Sequence, residues 1–262
     1  MAEITAAKVK ALRERTGQGM MECKKALVET EGDMDAAVEL LRKRGLAAAE
    51  KKAGREAKEG LVAVCRSDGG AAMVEVVCET DFCARNEEFQ KMVEVVASLA
   101  AAAPEGPVEA TKEISQVVQA CFNKIGENMR YSRGVKISAP TVGHYLHHNR
   151  KVGVVVGLEG EIAPETLNEL CMHIAFADPM AITLDEIPAE VVERERRIAA
   201  EQAAEAGKPP QVVEKIVQGK VRKFLTTQAL LEQAFVKDEK KKVKEILGQA
   251  KVKTFARFAI GQ

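Results

Sequence analysis

The chain of 262 residues contains no tryptophan, two tyrosines and eight phenylalanines. An interior with so few large rings has to be filled by aliphatic side chains. With 46% of residues hydrophobic, the composition points to an Ala-rich, largely helical core. Charge imbalance is absent too, since 39 Lys plus Arg against 39 Asp plus Glu give a net charge of zero. Without a basic field there is no long-range attraction for a phosphate backbone, so a protein surface is the better-matched partner and direct nucleic-acid binding is not expected. No uncharged stretch approaches the roughly 20 residues that cross a bilayer. The N-terminus, with Glu3 and an amphipathic rhythm, lacks the layout of an export signal, so neither a membrane span nor secretion is expected. The six cysteines, at 23, 65, 78, 83, 121 and 171, form no C-x-x-C pair and lie mostly in apolar runs. They read as reduced, packed thiols of a cytosolic protein.

Patterns that carry chemistry are sparse. No Gly-rich loop leads into Lys-Ser/Thr, and Gly207-Lys208-Pro209 lacks the upstream glycine, so no bound nucleotide or other cofactor is expected. His144, His147 and His148 fall in a strand and turn without a carboxylate or thiol in evident reach, and read as exposed or core-edge rather than metal ligands. Cys83 has Arg85 two residues on, a cation that could lower its pKa, but no motif brings a His beside it. Lys240-Lys241-Lys242, between Asp238-Glu239 and Glu245, reads as a solvated helix face. The chain is not expected to be an enzyme.

The length allows one large or two to three small domains. Residues 4 to about 45 read as three short helices: Thr5 caps the first, Thr16-Gly17-Gln18-Gly19 breaks it, Gly32-Asp33 separates the second from the third, and Gly45 stops the third. Residues 46–59 read as a solvated helical linker. The period then changes: Leu61–Arg66 and Ala71–Cys78 alternate as strands around the hairpin signal Ser67-Asp68-Gly69-Gly70. Helices follow over Asn86–Ala102 and around Ile114–Ile125, the latter closed by Gly126. A second strand-rich block from about Met129, with strands at Val135–Ile137, His144–His147 and Lys151–Leu158, precedes a helix after Pro164. Strands followed by a helix thus occur twice, implying two related core halves, residues 60–140 and residues 141–187 with 226–262. Between them, two charged helical stretches around Gly207-Lys208-Pro209-Pro210 read as a projecting antiparallel hairpin over 188–225, with Val191, Ile198, Val212, Ile216 and Val217 as its apolar stripes. Val252–Ile260 is the last expected strand. The fold class is therefore α+β.

The most informative stretch is Thr80-Asp81-Phe82-Cys83-Ala84-Arg85-Asn86, where an apolar strand runs into a charged helix start. Thr80 and Asp81 are suited to cap that helix. On residue types alone two readings stand. If Phe82 points inward, this is a capped turn over the core; if outward, a carboxylate and a ring are offered together to a partner.

The segment resembles the Thr-Asp-Phe-Val-Ala-Arg/Lys-Asn element of elongation factor Ts, the bacterial guanine-nucleotide exchange factor family for elongation factor Tu, with Cys83 in place of the usual valine. Leu12–Met21, Cys23–Leu27, Lys124–Asn128, Tyr145–His147, Met172–Ala175 and Glu232–Val236 follow in the family's order, so the resemblance covers nearly the whole chain. It implies a ubiquitin-associated-like N-terminal bundle and a cytoplasmic factor that binds elongation factor Tu, GDP-bound and nucleotide-free, in a one-to-one complex. Within it, Thr80, Asp81, Phe82 and Cys83 would form the wedge that disturbs the partner's Mg²⁺ site. Arg13, Met20, Met21 and Lys24 would contact its nucleotide-binding domain, one methionine packing into the bundle and the other covering the partner. Ile125, Gly126, His147 and Val236 are the further matched contact positions. Longer relatives continue past Gln262 into a helical module. Two rivals remain: an adaptor that captures a protein through the N-terminal bundle, and a thiol enzyme using Cys83.

Overall fold

The computed structural model describes residues 4–205 and 210–262. Three helices open the chain, α1 (Ala6–Thr16), α2 (Met20–Glu29) and α3 (Met34–Lys52), and enclose Val9, Leu12, Cys23, Ala26, Leu27, Ala37 and Leu41. Thr5 caps α1 by accepting from the Lys8 amide, and Asp33 caps α3 by accepting from the Asp35 and Ala36 amides. Gly45 does not stop α3, contrary to expectation. It is buried inside the helix because a Cβ there would stand 2.4 Å from Asn123 Oδ1. Leaving out the side chain permits a close approach to Asn123, and the first half of the expected linker, residues 46–52, continues α3.

Two antiparallel sheets form the centre. The first has strands β1 (Glu59–Ser67), β2 (Gly70–Cys78), β3 (Gly106–Pro107) and β4 (Met129–Ser138) in the order β1-β2-β4-β3. The second has β5 (Thr141–Leu146), β6 (Val152–Glu159) and β9 (Lys251–Ala259) in the order β5-β6-β9. The expected hairpin is present, with Ser67 paired to Gly70 across Asp68-Gly69. The strand at Met129, expected to open the second block, instead pairs along β2 and completes the first sheet. Its charged residues Arg130, Arg133 and Lys136 concealed its length as a strand, which nine residue pairs with β2 across one bulge establish.

Helices α4 (Asp81–Arg85), α5 (Glu87–Ala101) and α6 (Lys112–Ile125) cover the outer side of the first sheet, where Phe89, Met92, Val93 and Val96 of α5 and Ile114, Val118 and Phe122 of α6 meet Leu61, Ala63, Val74 and Val76. Helix α7 (Pro164–Ala177) covers the second, with Leu170, Cys171 and Ile174 against Val154, Val156 and Leu158. The inner faces pack on one another through Val62, Ala71, Met73, Ile137, Val155 and Phe258. The layers therefore run helix, sheet, sheet, helix. Every residue of β2 is buried, because both faces of that strand are covered.

Helices α8 (Ala189–Glu205) and α9 (Pro210–Gln228) form the antiparallel pair. Gly207, Lys208 and Pro209, where the turn was expected, lie outside the described residues. The buried positions are Ala199, Ala203 and Val221, whereas Ile198 and Val212 are exposed. Small alanines let the helices approach where a bulkier stripe had been read. Strands β7 (Ala234–Phe235) and β8 (Asp238–Lys242) form a hairpin ahead of α10 (Val243–Ile246). Lys240–Lys242 thus lie on a strand and not on the helix face expected for them.

A Cβ at position 153 would stand 2.6 Å from Val62 Cγ1 and 2.9 Å from Met73 Sδ of the facing sheet. Gly153→Val should therefore cost about 1–3 kcal/mol through overpacking, read as a lowered urea midpoint with unchanged slope. A midpoint equal to that of the parent chain would show that the sheets do not meet there.

Candidate functional site

Strand β2 delivers the chain to Thr80, whose extended backbone makes it the N-cap of α4. Its hydroxyl accepts from the Cys83 amide at 3.1 Å and donates to the Glu127 carboxylate at 2.9 Å. Cys83 and Ala84 are the buried residues of α4. At about 100° per residue, a helix that turns both inward must turn the preceding residue outward, and Phe82 is 78% exposed. Of the two readings open at the sequence level, the outward ring is the one observed. Asp81 lies on the flank, its carboxylate 3.0 Å from the Arg85 guanidinium. Surface pairs of this spacing contribute about 0.3–0.5 kcal/mol, so the carboxylate is easily released to another cation.

A polar lattice holds this tip. The Glu79 carboxylate accepts from the Asn128 amide at 2.6 Å and pairs with Arg55 at 3.4 Å, while the Asn128 side chain donates to the Arg55 carbonyl at 2.8 Å. The Asn128 amide is the main reason the Glu79 carboxyl sits below the usual carboxylate range, against the opposing effect of burial; Arg55 and Lys52 add to it. Gly126 closes α6 with φ +80°, a conformation that disfavours side chains, and its carbonyl accepts from the Lys52 ammonium. Ile125 and Gly126 are thereby fixed two residues and one residue from Glu127, which Thr80 binds directly.

The N-terminal helices adjoin the same region. The turn at Gly17 lies against the Lys124 side chain, whose ammonium pairs with Glu88 at 2.6 Å, at the start of α5. Arg13, Lys24, Met20 and Met21 are all exposed. Neither methionine packs into the bundle, contrary to expectation, because Cys23, Ala26 and Leu27 already fill that face of α2. Cys83 is 2% exposed and belongs to the core beneath the tip. Its thiol is pushed up by its hydrogen bond with Cys78 first and by burial second, which keeps it protonated and argues against a nucleophile.

His147 follows β5 rather than ending it; its Nδ1 is 2.8 Å from the Tyr145 hydroxyl and its ring is 4.2 Å from that of His148. Among the described residues no three His, Cys, Asp or Glu side chains are grouped to hold a metal. Val236 is exposed, and its amide donates to Nδ1 of the buried His173 at 3.2 Å. With Nδ1 accepting, Nε2 is the donor to Gln233 Oε1 at 2.9 Å, a neutral tautomer consistent with burial lowering this imidazole's pKa. Sequence reading had noted His173 only within a motif, and it missed Glu79, Lys52 and Asn128 as supports. Their only advance signal was polar side chains flanking the tip and the α6 terminus.

The site is thus an outward ring and carboxylate on a braced turn, over a buried thiol, on an α+β scaffold. Comparison with known proteins gives the family. The family model described as Elongation factor TS matches residues 79–262. Elongation factor Ts of Thioalkalivibrio sulfidiphilus is 46% identical over 273 residues, covering 99% of this chain and 92% of the relative. The protein of that name from Alkalilimnicola ehrlichii is 45% identical, with coverage of 99% and 92%. That from Rhodospirillum rubrum is 44% identical, with coverage of 100% and 94%. The chain belongs to the elongation factor Ts family, a family of translation elongation factors.

Because the Glu79 carboxyl is held low in the fold, it favours folding above the unfolded-state value of about 4.3, and that contribution is lost as pH falls through the lower folded value. Glu79→Gln should therefore lower stability at pH 7 and flatten the acid limb of the stability profile below about pH 4.3. A variant whose acid limb still parallels that of the parent chain would remove Glu79 from this account.

Proposed function

We propose that this chain is a guanine-nucleotide exchange factor, not an enzyme, that acts in the cytoplasm by binding elongation factor Tu with GDP and promoting GDP release. The observation that carries this reading is the outward Phe82 beside Asp81. Phe82 inserts between side chains of the partner's nucleotide-binding domain, and Asp81 leaves Arg85 to disturb the neighbourhood of the Mg²⁺. Thr80 and the buried Cys83 hold the turn in shape. Arg13, Met20, Met21 and Lys24 touch the same partner domain, while Ile125, Gly126, His147 and Val236 extend the contact over the core. In this scheme the N-terminal helices, the two core halves and the hairpin over 188–225 are separate contributors to a one-to-one complex.

The magnitudes favour several contacts. Burying a phenylalanine contributes about 1.5–3 kcal/mol, and each 1.4 kcal/mol is about tenfold in an equilibrium. One ring thus supplies roughly one to two decades of nucleotide destabilisation, and more requires the additional contacts. Linkage is reciprocal: a factor that weakens GDP binding must itself be weakened by GDP to the same degree. The nucleotide-free partner is therefore bound most tightly.

The exposed Met20, Met21 and Val28 on α2 favour a second reading, an adaptor that captures a protein through the N-terminal helices. Stopped-flow release of fluorescent GDP from elongation factor Tu separates the two. Acceleration by the full chain should fall by at least tenfold in the Asp81→Ala/Phe82→Ala variant, and the chain lacking residues 1–50 should keep a weak acceleration. No acceleration by the full chain would sink the exchange reading.

A further inference from the structure

The hairpin that carries Val236 has little pairing of its own. Strands β7 and β8 share two residue pairs, Ala234 with Lys242 and Phe235 with Asp238, with a register shift between Ala234 and Phe235. A two-stranded hairpin is marginal in water even when fully paired, and this one turns through Val236, which is 43% exposed. Helix α7 supplies the missing hold, with His173 at its centre. The imidazole is 1% exposed and meets three points of the segment. Nε2 lies 2.9 Å from Gln233 Oε1, the ring lies 5.7 Å from that of Phe235, and Nδ1 lies 3.2 Å from the Val236 amide nitrogen. One turn earlier on α7, Glu169 pairs with Lys237. A backbone amide can only donate, so Nδ1 carries no proton and Nε2 must carry one. Gln233 is oriented to accept it, because its own Nε2 donates to the Thr227 carbonyl at 2.7 Å and so turns Oε1 to the imidazole. Hydrogen bonds therefore run in one direction from the Val236 amide through the imidazole and Gln233 to Thr227 near the end of α9.

Resting on the exchange reading, which makes Val236 a contact, we propose that His173 is a positioning residue for partner binding: through the Val236 amide it presents the Val236 side chain to elongation factor Tu in a fixed direction. The partner meets Val236 and not the buried imidazole. His173 therefore contributes by sparing the complex the cost of ordering the hairpin turn on binding. Of its two nitrogens, the accepting Nδ1 is the one that holds the turn. Asparagine can place an amide oxygen where Nδ1 stands, keeping the bond to Val236 and losing the one to Gln233. Glutamine reaches instead to the place of Nε2, keeping the bond to Gln233 and leaving the Val236 amide without its acceptor.

The test joins NMR of the free full chain to calorimetric titration with nucleotide-free elongation factor Tu. In the parent chain the imidazole nitrogen signals of His173 should show Nδ1 bare and Nε2 protonated, and the Val236 amide should exchange slowly with solvent. His173→Asn should keep that protection and bind within about threefold of the parent, whereas His173→Gln should lose it and bind about tenfold more weakly. Val236→Ala should also weaken binding, and adding His173→Gln to it should cost less than the same change costs the parent, because one residue acts through the other. Circular dichroism at the titration temperature establishes that each variant compared is folded. Equal weakening of the Asn and Gln variants, additive losses in the double variant, or parent-like binding by Val236→Ala would reduce His173 to a packing role. If His173→Gln does not fold, the parent chain decides: a protonated Nδ1 or a rapidly exchanging Val236 amide would overturn the positioning role. A parent chain that does not bind elongation factor Tu would overturn the exchange reading and this role with it, while each of the other failures leaves the exchange reading standing.

Discussion

The structure depends on how closely its two sheets approach. Gly153 and Gly157 on β6 face the first sheet, and a Cβ at either would come within 3 Å of a side-chain atom of β1, β2 or β4. With those side chains absent, Val62, Met73, Ile137, Val155 and Phe258 close into one buried apolar layer. A buried acid at this interface, Glu75, is 4% exposed and takes two hydrogen bonds from Arg133, whose guanidinium stacks 4.5 Å from the Phe258 ring of the opposite sheet. A buried carboxylate left without that partner would be costly. The arginine therefore belongs to the interface as much as the aliphatic residues do.

Covering both faces of β2 has a consequence for the tip. A strand with every residue buried cannot slide by one position without exchanging its two faces. Its last residue, Cys78, is therefore fixed in depth and direction, and the turn that follows begins from a known place. Thr80 then sets the helical phase of α4, and burial of Cys83 and Ala84 makes the outward position of Phe82 a geometric necessity.

What was legible in the sequence follows the same division. Periodic apolar residues revealed α5, α6, β1 and β2, because burial on one face leaves a repeat and the Ser67–Gly70 turn chemistry marks its own place. The capping roles of Thr5, Asp33 and Thr80 could also be read, since a side-chain oxygen before a helix acts locally. Contacts between distant segments were hidden. Gly45 looks like a helix stop until Asn123 is seen against it, and Met129 looks like the start of a new block until its register with Cys78 is known. Lys240–Lys242 has the charge alternation of a helix face, yet the pairing of Ala234 with Lys242 makes it a strand. At the tip, Asp81 and Phe82 were found from the motif they form, whereas Glu79, Asn128 and Lys52 act through partners 49 or 74 residues away in the chain.

Polar bracing at the tip answers a physical problem. A phenylalanine left in water forgoes about 1.5–3 kcal/mol, so a loosely held loop would fold its ring back onto the core. Hydrogen bonds contribute only about 1 kcal/mol each, but they are directional, and here they act on the backbone that aims the ring rather than on the ring itself. Thr80 fixes the start of α4, Glu127 fixes Thr80, and Asn128 and Arg55 fix Glu79 just before it. Collapse of Phe82 would require breaking these bonds and unburying Cys83 and Ala84 to recover one ring's burial. The balance holds the ring outward, and the binding energy of that ring remains available to a surface other than the protein's own.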